Sequence, residues 1–361
     1  MEAQHTALPT VLAERHRRQG AEMGVWFGCA LPNHFGHWRA EYRMARETVA
    51  LLDKSYRLYL DFTGPDRVRY LNAILTNDIK GLQANHGTVS LFLNPQGHIQ
   101  AEIETYAENG KLFCVSFAMI RERLIPALDK YIIMDDVTLA DRTDAYATLA
   151  LEGPQASELV RKLAATDLAS LDELETTEAA VAAIPCRISK RSPGGVPGAE
   201  LLVERERAEA LWNTLEAATR DHGGGPAGYV ALNSLRLEYG VPWFGYDFGE
   251  KQIPHEAGLQ DSHISYTKGC YTGQEIVERV RSRGQVNRIR VSLKSDRSAA
   301  PVHDSALFSE GKEVGYVTRV GFSPRLNAFL GMAYVRREKG APGTVLELAD
   351  GKTMVVTMPL S

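Results

Sequence analysis

The sequence predicts an α+β protein that ends in a small all-β domain, and three observations support this fold class. At 361 residues, the chain exceeds the size at which a single hydrophobic core stops growing, so two or three domains are expected. Strand-like and helix-like patterns alternate as far as RSRGQVNR (281–288). Beyond that segment, short apolar stretches are separated by glycine and polar turns, which is typical of a barrel or sandwich.

Local patterns predict the elements of the first half. Residues 5–53 are expected to form helix and loop, with a charged helix over 39–54. YRLYLDFTG (56–64) alternates like a strand, and its Gly-Pro-Asp continuation opens a predicted helix. Residues 88–118 predict two or three strands joined by turns at Asn-Pro-Gln-Gly and Glu-Asn-Gly, and a helix is expected over 119–130.

The next segment repeats this order loosely. Residues 137–165 predict two strands and a helix opened by Gly-Pro, 192–198 a turn-rich connection, and 206–221 a further helix. A helix is also expected over 229–238. The repeated order suggests an internal duplication of α+β modules.

Composition narrows the class of function. The 41 Lys and Arg residues against 45 Asp and Glu residues leave a net charge of −4, which argues against broad electrostatic binding to nucleic acid or an anionic membrane. Every apolar run is far shorter than the roughly 20 residues of a membrane span. The N-terminal segment lacks the apolar core of a secretory signal. We therefore expect a cytoplasmic protein that binds neither nucleic acid nor membrane.

Four cysteines, Cys29, Cys114, Cys186 and Cys270, are far apart in the chain. None belongs to a CxxC motif or a Cys/His pair at metal-ligand spacing, so no metal site is predicted. Widely spaced cysteines in a chain without a secretory signal are expected to be reduced thiols.

The segment KGCYTGQE (268–275) is the strongest chemical candidate. Its two glycines allow positive φ or a close backbone approach, and Lys268 with the nearby Arg279, Arg281 and Arg283 favours a thiolate at Cys270. The alternative is that Cys270 packs as a small buried apolar residue. Both interpretations remain open at this point.

Two further segments each allow two interpretations. The five arginines of ERVRSRGQVNRIR (278–290) predict either a solvated loop or a docking site for carboxylates or phosphates. The aromatic stretch YGVPWFGYDFGEKQIPHEAG (239–258) predicts either a pocket for a flat heterocycle, with Asp247 or Glu256 as hydrogen-bonding partner, or a loop packed by its own aromatics.

KGCYTGQE also resembles the K-G-C-Y-x-G-Q-E signature of the YgfZ-type folate-binding proteins, relatives of the glycine cleavage system T-protein (aminomethyltransferase). The similarity extends through RVRYLNAILTNDI (67–79), LNPQGHIQAE (93–102) and ALNSLRLEYG (231–240). It implies a three-domain cloverleaf that holds tetrahydrofolate, with two α+β modules partly interleaved in sequence and a C-terminal β-barrel. The implied boundaries are 1–283 for the folate-binding region, with roughly 56–140 inserted, and 284–361 for the barrel.

The resemblance also implies roles for individual residues. Glu200, in GAELLV (198–203), matches the glutamate that hydrogen-bonds the pterin, and a carboxylate suits the two adjacent N–H donors of the pterin edge. Folate contacts are likewise expected for Tyr239, Trp243, Arg236 and Glu102. The signature residues are Lys268, Gly269, Cys270, Tyr271, Gly273, Gln274 and Glu275.

One departure from the T-protein pattern concerns its catalytic aspartate. The matching position holds Ala101, which can neither orient nor charge-stabilise the folate amine. Glu102 takes that role only if the strand register shifts. The resemblance therefore implies folate binding more strongly than folate chemistry.

YgfZ-type proteins are associated with the assembly or repair of iron–sulfur clusters in client enzymes. The resemblance therefore implies a tetrahydrofolate-binding accessory protein with Cys270 as its functional thiol. A stable cluster takes four ligands as a rule, so the expected partners are iron–sulfur enzymes or cluster carriers. The alternative is a folate-dependent aminomethyltransferase or demethylase of the T-protein type.

Overall fold

The structure is a computed structural model that describes residues 7–191, 195–295 and 302–360, without the side chain of Arg283. Residues 192–194 of the predicted turn-rich connection lie outside this part, as do the first six residues. The chain divides into two units. The first unit comprises Met1–Asn72, Asp78–Val89 and Ile103–Leu232, and the second comprises Ala73–Asn77, Ser90–Glu102 and Asn233–Ser361.

The α-helices of the described residues are mostly short. They are α1 (Ala13–Arg18), α2 (Trp38–Glu47), α3 (Arg67–Ile74), α4 (Arg121–Asp129), α5 (Ala156–Ala164), α6 (Ala208–Asp221), α7 (Tyr229–Glu238), α8 (Pro254–Ala257), α9 (Gln260–His263) and α10 (Gln274–Arg283). None of these helices is long and apolar enough to cross a membrane.

The strands of the described residues form four sheets. They are β1 (Glu22–Trp26), β2 (Cys29–His34), β3 (Ala50–Asp53), β4 (Arg57–Thr63), β5 (Gly87–Leu93), β6 (Ile99–Glu108), β7 (Lys111–Phe117), β8 (Thr138–Asp141), β9 (Tyr146–Glu152), β10 (Thr176–Val181), β11 (Ile184–Lys190), β12 (Gly198–Glu204), β13 (Gly225–Pro226), β14 (Arg288–Ser295), β15 (Ala306–Ser309), β16 (Lys312–Ser323), β17 (Ala328–Arg336), β18 (Val345–Leu348) and β19 (Thr353–Thr357).

Two larger sheets organise the first unit. One has the order β10-β11-β12-β9-β3-β13, and the other has the order β5-β6-β7-β4-β8. Apolar residues of α5 and α6, among them Leu159 and Trp212, form a core with one face of the six-stranded sheet. Its opposite face packs on the five-stranded sheet, where Leu202 meets a cluster that includes Tyr59 and Phe113. Because side chains alternate along a strand, Glu200 of β12 points to this same inter-sheet face as Leu202.

The tip of the β5–β6 hairpin, Ser90–Glu102, belongs to the second unit. Its turn forms where the sequence predicts it: the backbone N–H of Gly97 donates to the carbonyl of Asn94, and the Asn94 side chain accepts from the N–H of His98. Gly97 has φ of +78°, a conformation that glycine adopts without strain.

The C-terminal part of the second unit is a closed barrel with the strand order β14-β17-β16-β15-β18-β19. Inward-facing residues such as Leu293, Val317 and Met354 form its core. Side chains alternate, so Val291 and Leu293 point inward while their neighbours on β14 point outward. The all-β character predicted beyond residue 285 is thus a barrel.

The predicted fold class is confirmed, because two sheets with packed helices precede a β-barrel. The strands of the five-stranded sheet lie in sequence between β3 and β9 of the six-stranded sheet. The domain boundaries at 56–140 and at 283/284 stay predictions. The helix predicted over 39–54 is wrong beyond Glu47, because residues Ala50–Asp53 form the strand β3. All four residues of β3 are buried. A strand that is buried on both faces lacks the apolar–polar alternation of a half-exposed strand, so its sequence pattern cannot be told from that of a buried helix.

Candidate functional site

The signature segment 268–275 forms a loop that leads into α10 in the second unit. Gly273 precedes the first residue of this helix and has φ of +82°. A Cβ atom at Gly273 would lie 2.7 Å from the carbonyl oxygen of Asn94, in the turn of the β5–β6 hairpin. Glycine is therefore needed at 273 for both its backbone angle and its close approach to the hairpin. Gly269, in contrast, has open space around it.

Lys268 fixes the start of this loop. Its Nζ donates to the carbonyl oxygens of Leu75 (2.6 Å) and Asn77 (2.8 Å). The backbone N–H of Thr272 donates to the carbonyl of Ala73, and the N–H of Tyr271 donates to Oε1 of Gln274. These bonds hold the loop at both ends while Gly269, Cys270 and Glu275 remain exposed.

Cys270 is the exposed thiol of the chain, whereas Cys29, Cys114 and Cys186 are buried. The alternative in which Cys270 packs as a buried apolar residue is therefore wrong. Burial raises the pKa of Cys114 to about 12 and that of Cys186 to about 11. Burial, with a smaller effect of Asp53, raises the pKa of Cys29 to about 12. These three cysteines are therefore protonated near neutral pH and do not act as thiolates.

The position of the expected catalytic aspartate lies on β6, in the hairpin tip. Ala101 is completely buried there, and the adjacent Glu102 points to the opposite face of the strand. The Oε1 atom of Glu102 lies 3.0 Å from Nε2 of His263, and Nδ1 of His263 lies 2.7 Å from the Ser262 hydroxyl. A role for Glu102 in place of Ala101 stays a prediction.

The aromatic stretch after α7 encloses a buried ion pair. Arg236 is fully buried and donates to Asp247, to the Asn233 side chain and to the carbonyl of Val241. Its guanidinium lies 4.6 Å from the ring centroid of Trp243, a cation–π contact. Asp247 also accepts from the hydroxyl of Thr318 at 2.7 Å. Burial lowers the pKa of Arg236 despite the opposing effect of Asp247.

These contacts favour the interpretation of a loop packed by its own aromatics. Trp243, Phe244 and Phe248 are buried, whereas Tyr239 is partly exposed. Folate contacts of Tyr239, Trp243 and Arg236 stay predictions, and a contact of Arg236 requires its guanidinium to leave the present partners.

Glu200 belongs to a buried charge network in the first unit. Nη2 of Arg57 lies 2.9 Å from its Oε1, and the same guanidinium reaches Glu104, whose Oε1 lies 3.3 Å from Nη1. Arg191 donates to Glu104 as well, at 2.9 Å. Burial raises the pKa of Glu104, but Arg191 and Arg57 outweigh that effect and lower the pKa to about 2. A second buried pair, Lys54 and Glu152 at 2.8 Å, lies in the same unit.

Comparison with known proteins places this chain in a family. Residues 12–263 match the GCVT N-terminal domain, and residues 288–359 match the glycine cleavage T-protein C-terminal barrel domain. An aminomethyltransferase of Moorella thermoacetica is 31% identical over 337 residues, covering 93% of this chain and 90% of that protein. One from Streptomyces coelicolor is 29% identical, covering 93% and 91%. The chain belongs to the glycine cleavage T-protein superfamily.

A solved structure agrees on the fold of this T-protein superfamily member. The glycine cleavage system aminomethyltransferase T from Bartonella henselae superposes with a TM-score of 0.86 at 23% identity, covering 98% of this chain and 97% of the other. The present chain therefore shares the fold of that aminomethyltransferase over nearly its full length.

The predicted site residues of this T-protein superfamily member are divided between the two units. The second unit brings together the signature loop and the β5–β6 hairpin tip that carries Ala101 and Glu102. Glu200 belongs to the first unit. Sequence reasoning missed Arg57, Glu104 and Arg191, the partners in the Glu200 network. No local signal set Arg57 and Glu104 apart, because β4 also contains Asp61 and β6 also contains Glu102 and Glu108.

One group of side chains in the described part of the chain has the geometry for a metal ion. Ligand atoms of His86, Asp172 and Glu175 lie within 4.8 Å of one another in the first unit. Asp172 is exposed, and the other two residues are partly exposed. The sequence predicts no metal site, and that expectation stays a prediction.

Proposed function

We propose that this protein binds tetrahydrofolate or a close derivative in the cytoplasm and supports iron–sulfur cluster assembly or repair in client enzymes. The observation that carries the proposal is the exposed thiol of Cys270 on a loop anchored by Lys268 and Gly273. This loop carries the YgfZ-type signature, in a T-protein superfamily chain whose catalytic aspartate position holds the buried Ala101.

Folate binding is supported by the chemistry around Glu200. A carboxylate offers about four lone-pair sites, and Arg57 occupies one on each oxygen, at 2.9 Å and 3.2 Å. The remaining sites suit the two adjacent N–H donors of a pterin edge. Arg57 also orients the carboxylate, so little side-chain freedom is lost when a ligand binds.

Calorimetric titration of tetrahydrofolate tests this part of the proposal. Wild-type protein is expected to bind saturably, and Glu200→Ala is expected to weaken binding by at least about tenfold, since a charge-assisted hydrogen bond is lost. Glu204→Ala is the matched control, because Glu204 is an exposed carboxylate at the end of the same strand. Equal affinity in all three proteins would show that Glu200 does not bind the ligand. The absence of tetrahydrofolate binding by the wild-type protein would overturn the proposal that this protein binds folate.

A role in iron–sulfur enzymes is supported by the accessibility of Cys270. One thiolate supplies a single cluster ligand, so a cluster would have to be shared with ligands of a partner protein. In cells that lack this protein, the wild-type gene is expected to restore the activity of iron–sulfur enzymes and Cys270→Ser is not. Thr267→Ala, a change at an exposed neighbour in the same loop, is expected to restore it fully. Full rescue by Cys270→Ser would overturn the role of the thiol.

A second candidate function is aminomethyl transfer, and the family comparisons favour it over the accessory role. The relatives of 31% and 29% identity that cover more than 90% of the chain are aminomethyltransferases. The test is incubation with tetrahydrofolate and a carrier that bears an aminomethyl group. Methylene-tetrahydrofolate formed by the wild-type protein would establish this second candidate. The accessory role predicts that the wild-type protein forms no methylene-tetrahydrofolate. Formation of this product by Ala101→Asp would show that the missing carboxylate is the reason for the inactivity.

A further inference from the structure

A cavity at one end of the barrel, lined in part by the arginine-rich segment 278–290, has an unusual concentration of arginine. It has a volume of about 780 Å³, is open to solvent, and lies within the second unit. Its lining consists of Gln285, Val286, Asn287, Arg288, Arg336, Arg337 and Glu338. Three guanidinium groups and one carboxylate leave this cavity with two net positive charges. Its volume falls in the range of small-molecule sites, about 300 to 1,000 Å³.

Two of these arginines are directly opposite each other in the sheet. Arg288 is the first residue of β14 and pairs in register with Arg336, the last residue of β17. Residues paired in this way project from the same face, with Cβ atoms roughly 4.5 to 5.5 Å apart. Val291 and Val335 point into the barrel core, so the alternation of the strands turns Arg288 and Arg336 outward.

The cross-strand arginine pair is electrostatically unfavourable by itself. Like charges directly opposite in a sheet destabilise it. Among the residues that the structure describes, neither Arg288 nor Arg336 forms an ion pair with a carboxylate. Within the described part of the chain, Glu338 is the one carboxylate of the lining and is not paired with either arginine. An anion held between the two guanidinium groups would supply a counter-charge.

Arg337 adds a third, better-fixed donor. Its backbone N–H donates to the carbonyl of Asn287, and Nη1 donates to the carbonyl of Gly284 at 3.2 Å. These bonds tie the end of β17 to the segment before β14 and leave the other guanidinium donors of Arg337 available to the cavity. The amides of Gln285 and Asn287 line the same space as neutral hydrogen-bonding groups.

We propose that this cavity binds the phosphate group of a small phosphorylated molecule. A phosphate monoester carries about −1.5 to −2 charges at neutral pH on one compact group, which matches the two net positive charges of the lining. Its three oxygens accept from two guanidinium groups at once, whereas a single carboxylate is satisfied by one arginine fork. The paired arginines thus suit phosphate better than carboxylate.

Calorimetric titration of the full chain with sodium pyrophosphate and with sodium citrate, at fixed ionic strength, tests the proposal. Saturable pyrophosphate binding is expected for the wild-type protein. In the double variant Arg288→Gln/Arg336→Gln the affinity is expected to fall at least about tenfold, because two charge-assisted contacts are lost. The control is Arg17→Gln/Arg18→Gln, which removes the same charge from exposed side chains of the first unit. Its affinity is expected to equal that of the wild type.

Three results would overturn this inference: no saturable binding of pyrophosphate, equal binding by the cavity variant, or tighter binding of citrate than of pyrophosphate. The last result would indicate a carboxylate ligand. Both arginines are exposed and repel each other, so the cavity variant is expected to unfold at the wild-type temperature or slightly above it. If it does not fold, Arg337→Gln tests the same loss of affinity.

Discussion

One guanidinium nitrogen, Nη2 of Arg57, lies 2.9 Å from Oε1 and 3.2 Å from Oε2 of Glu200, and both residues are buried. The same guanidinium also forms an ion pair with Glu104, which lies in the five-stranded sheet, whereas Glu200 lies in the six-stranded sheet. Arg57 therefore neutralises two carboxylates at the face where the two sheets of the first unit pack. Removing it leaves these charges without adequate compensation.

Arg57→Gln is expected to lower the free energy of unfolding by roughly 3 to 5 kcal/mol, the usual loss when one partner of a buried pair is removed. Urea unfolding followed by circular dichroism measures this. Arg142→Gln is the control, because Arg142 pairs with Asp61 at 3.1 Å but is half exposed. That change is expected to cost less than about 1 kcal/mol. Similar losses in both variants would contradict the structural role of Arg57.

Glu104 makes the stability of the first unit depend on pH. Its pKa is lowered to about 2 in the folded protein, so its contribution to stability is present above the unfolded-state value and disappears as the pH falls towards 2. Glu104→Gln lacks this contribution at every pH. Urea midpoints measured from pH 7 down to pH 3 are expected to show a gap between wild type and Glu104→Gln that narrows below about pH 5. A gap independent of pH would contradict the lowered pKa.

The four thiols are expected to differ sharply in reactivity. In native protein at pH 8, a thiol reagent should modify one cysteine quickly, because Cys270 is exposed while burial raises the pKa of the other three. In urea all four should react. Cys270→Ser should abolish the fast phase, which absorbance of the released chromophore measures. A fast phase that persists in Cys270→Ser would show that a buried cysteine becomes accessible.

Gly273 and Gly269 form a matched pair within the signature loop. Gly273→Ala is expected to destabilise the protein by about 1 to 3 kcal/mol, since alanine at φ of +82° is strained and its Cβ would meet the Asn94 carbonyl. Gly269→Ala meets no atom within 4 Å and is expected to have little effect. Thermal unfolding of the two variants compares them directly. Equal melting temperatures would mean that the loop does not depend on its approach to the hairpin.

Local patterns in the sequence predicted most of the helices. The Gly-Pro pairs before α3 and α5, and the periodicity of α6 and α7, are signals confined to a few neighbouring residues. The strand β3 was predicted as helix because its burial depends on strands distant in sequence, β9 and β13. Local periodicity contains no information about such neighbours.

For the candidate site, the sequence singled out the chemical candidates, and the tertiary structure decided which of them are accessible. KGCYTGQE singled out Cys270 by its residue types, and the prediction that Ala101 stands at the position of the catalytic aspartate uses only the order of residues. The sequence did not decide between an exposed and a buried Cys270. It also gave no indication that Arg57 binds Glu200, or that Arg288 lies opposite Arg336. These relationships arise because strand pairing and sheet packing bring together residues that are 143 and 48 positions apart, with a geometry that local sequence does not encode.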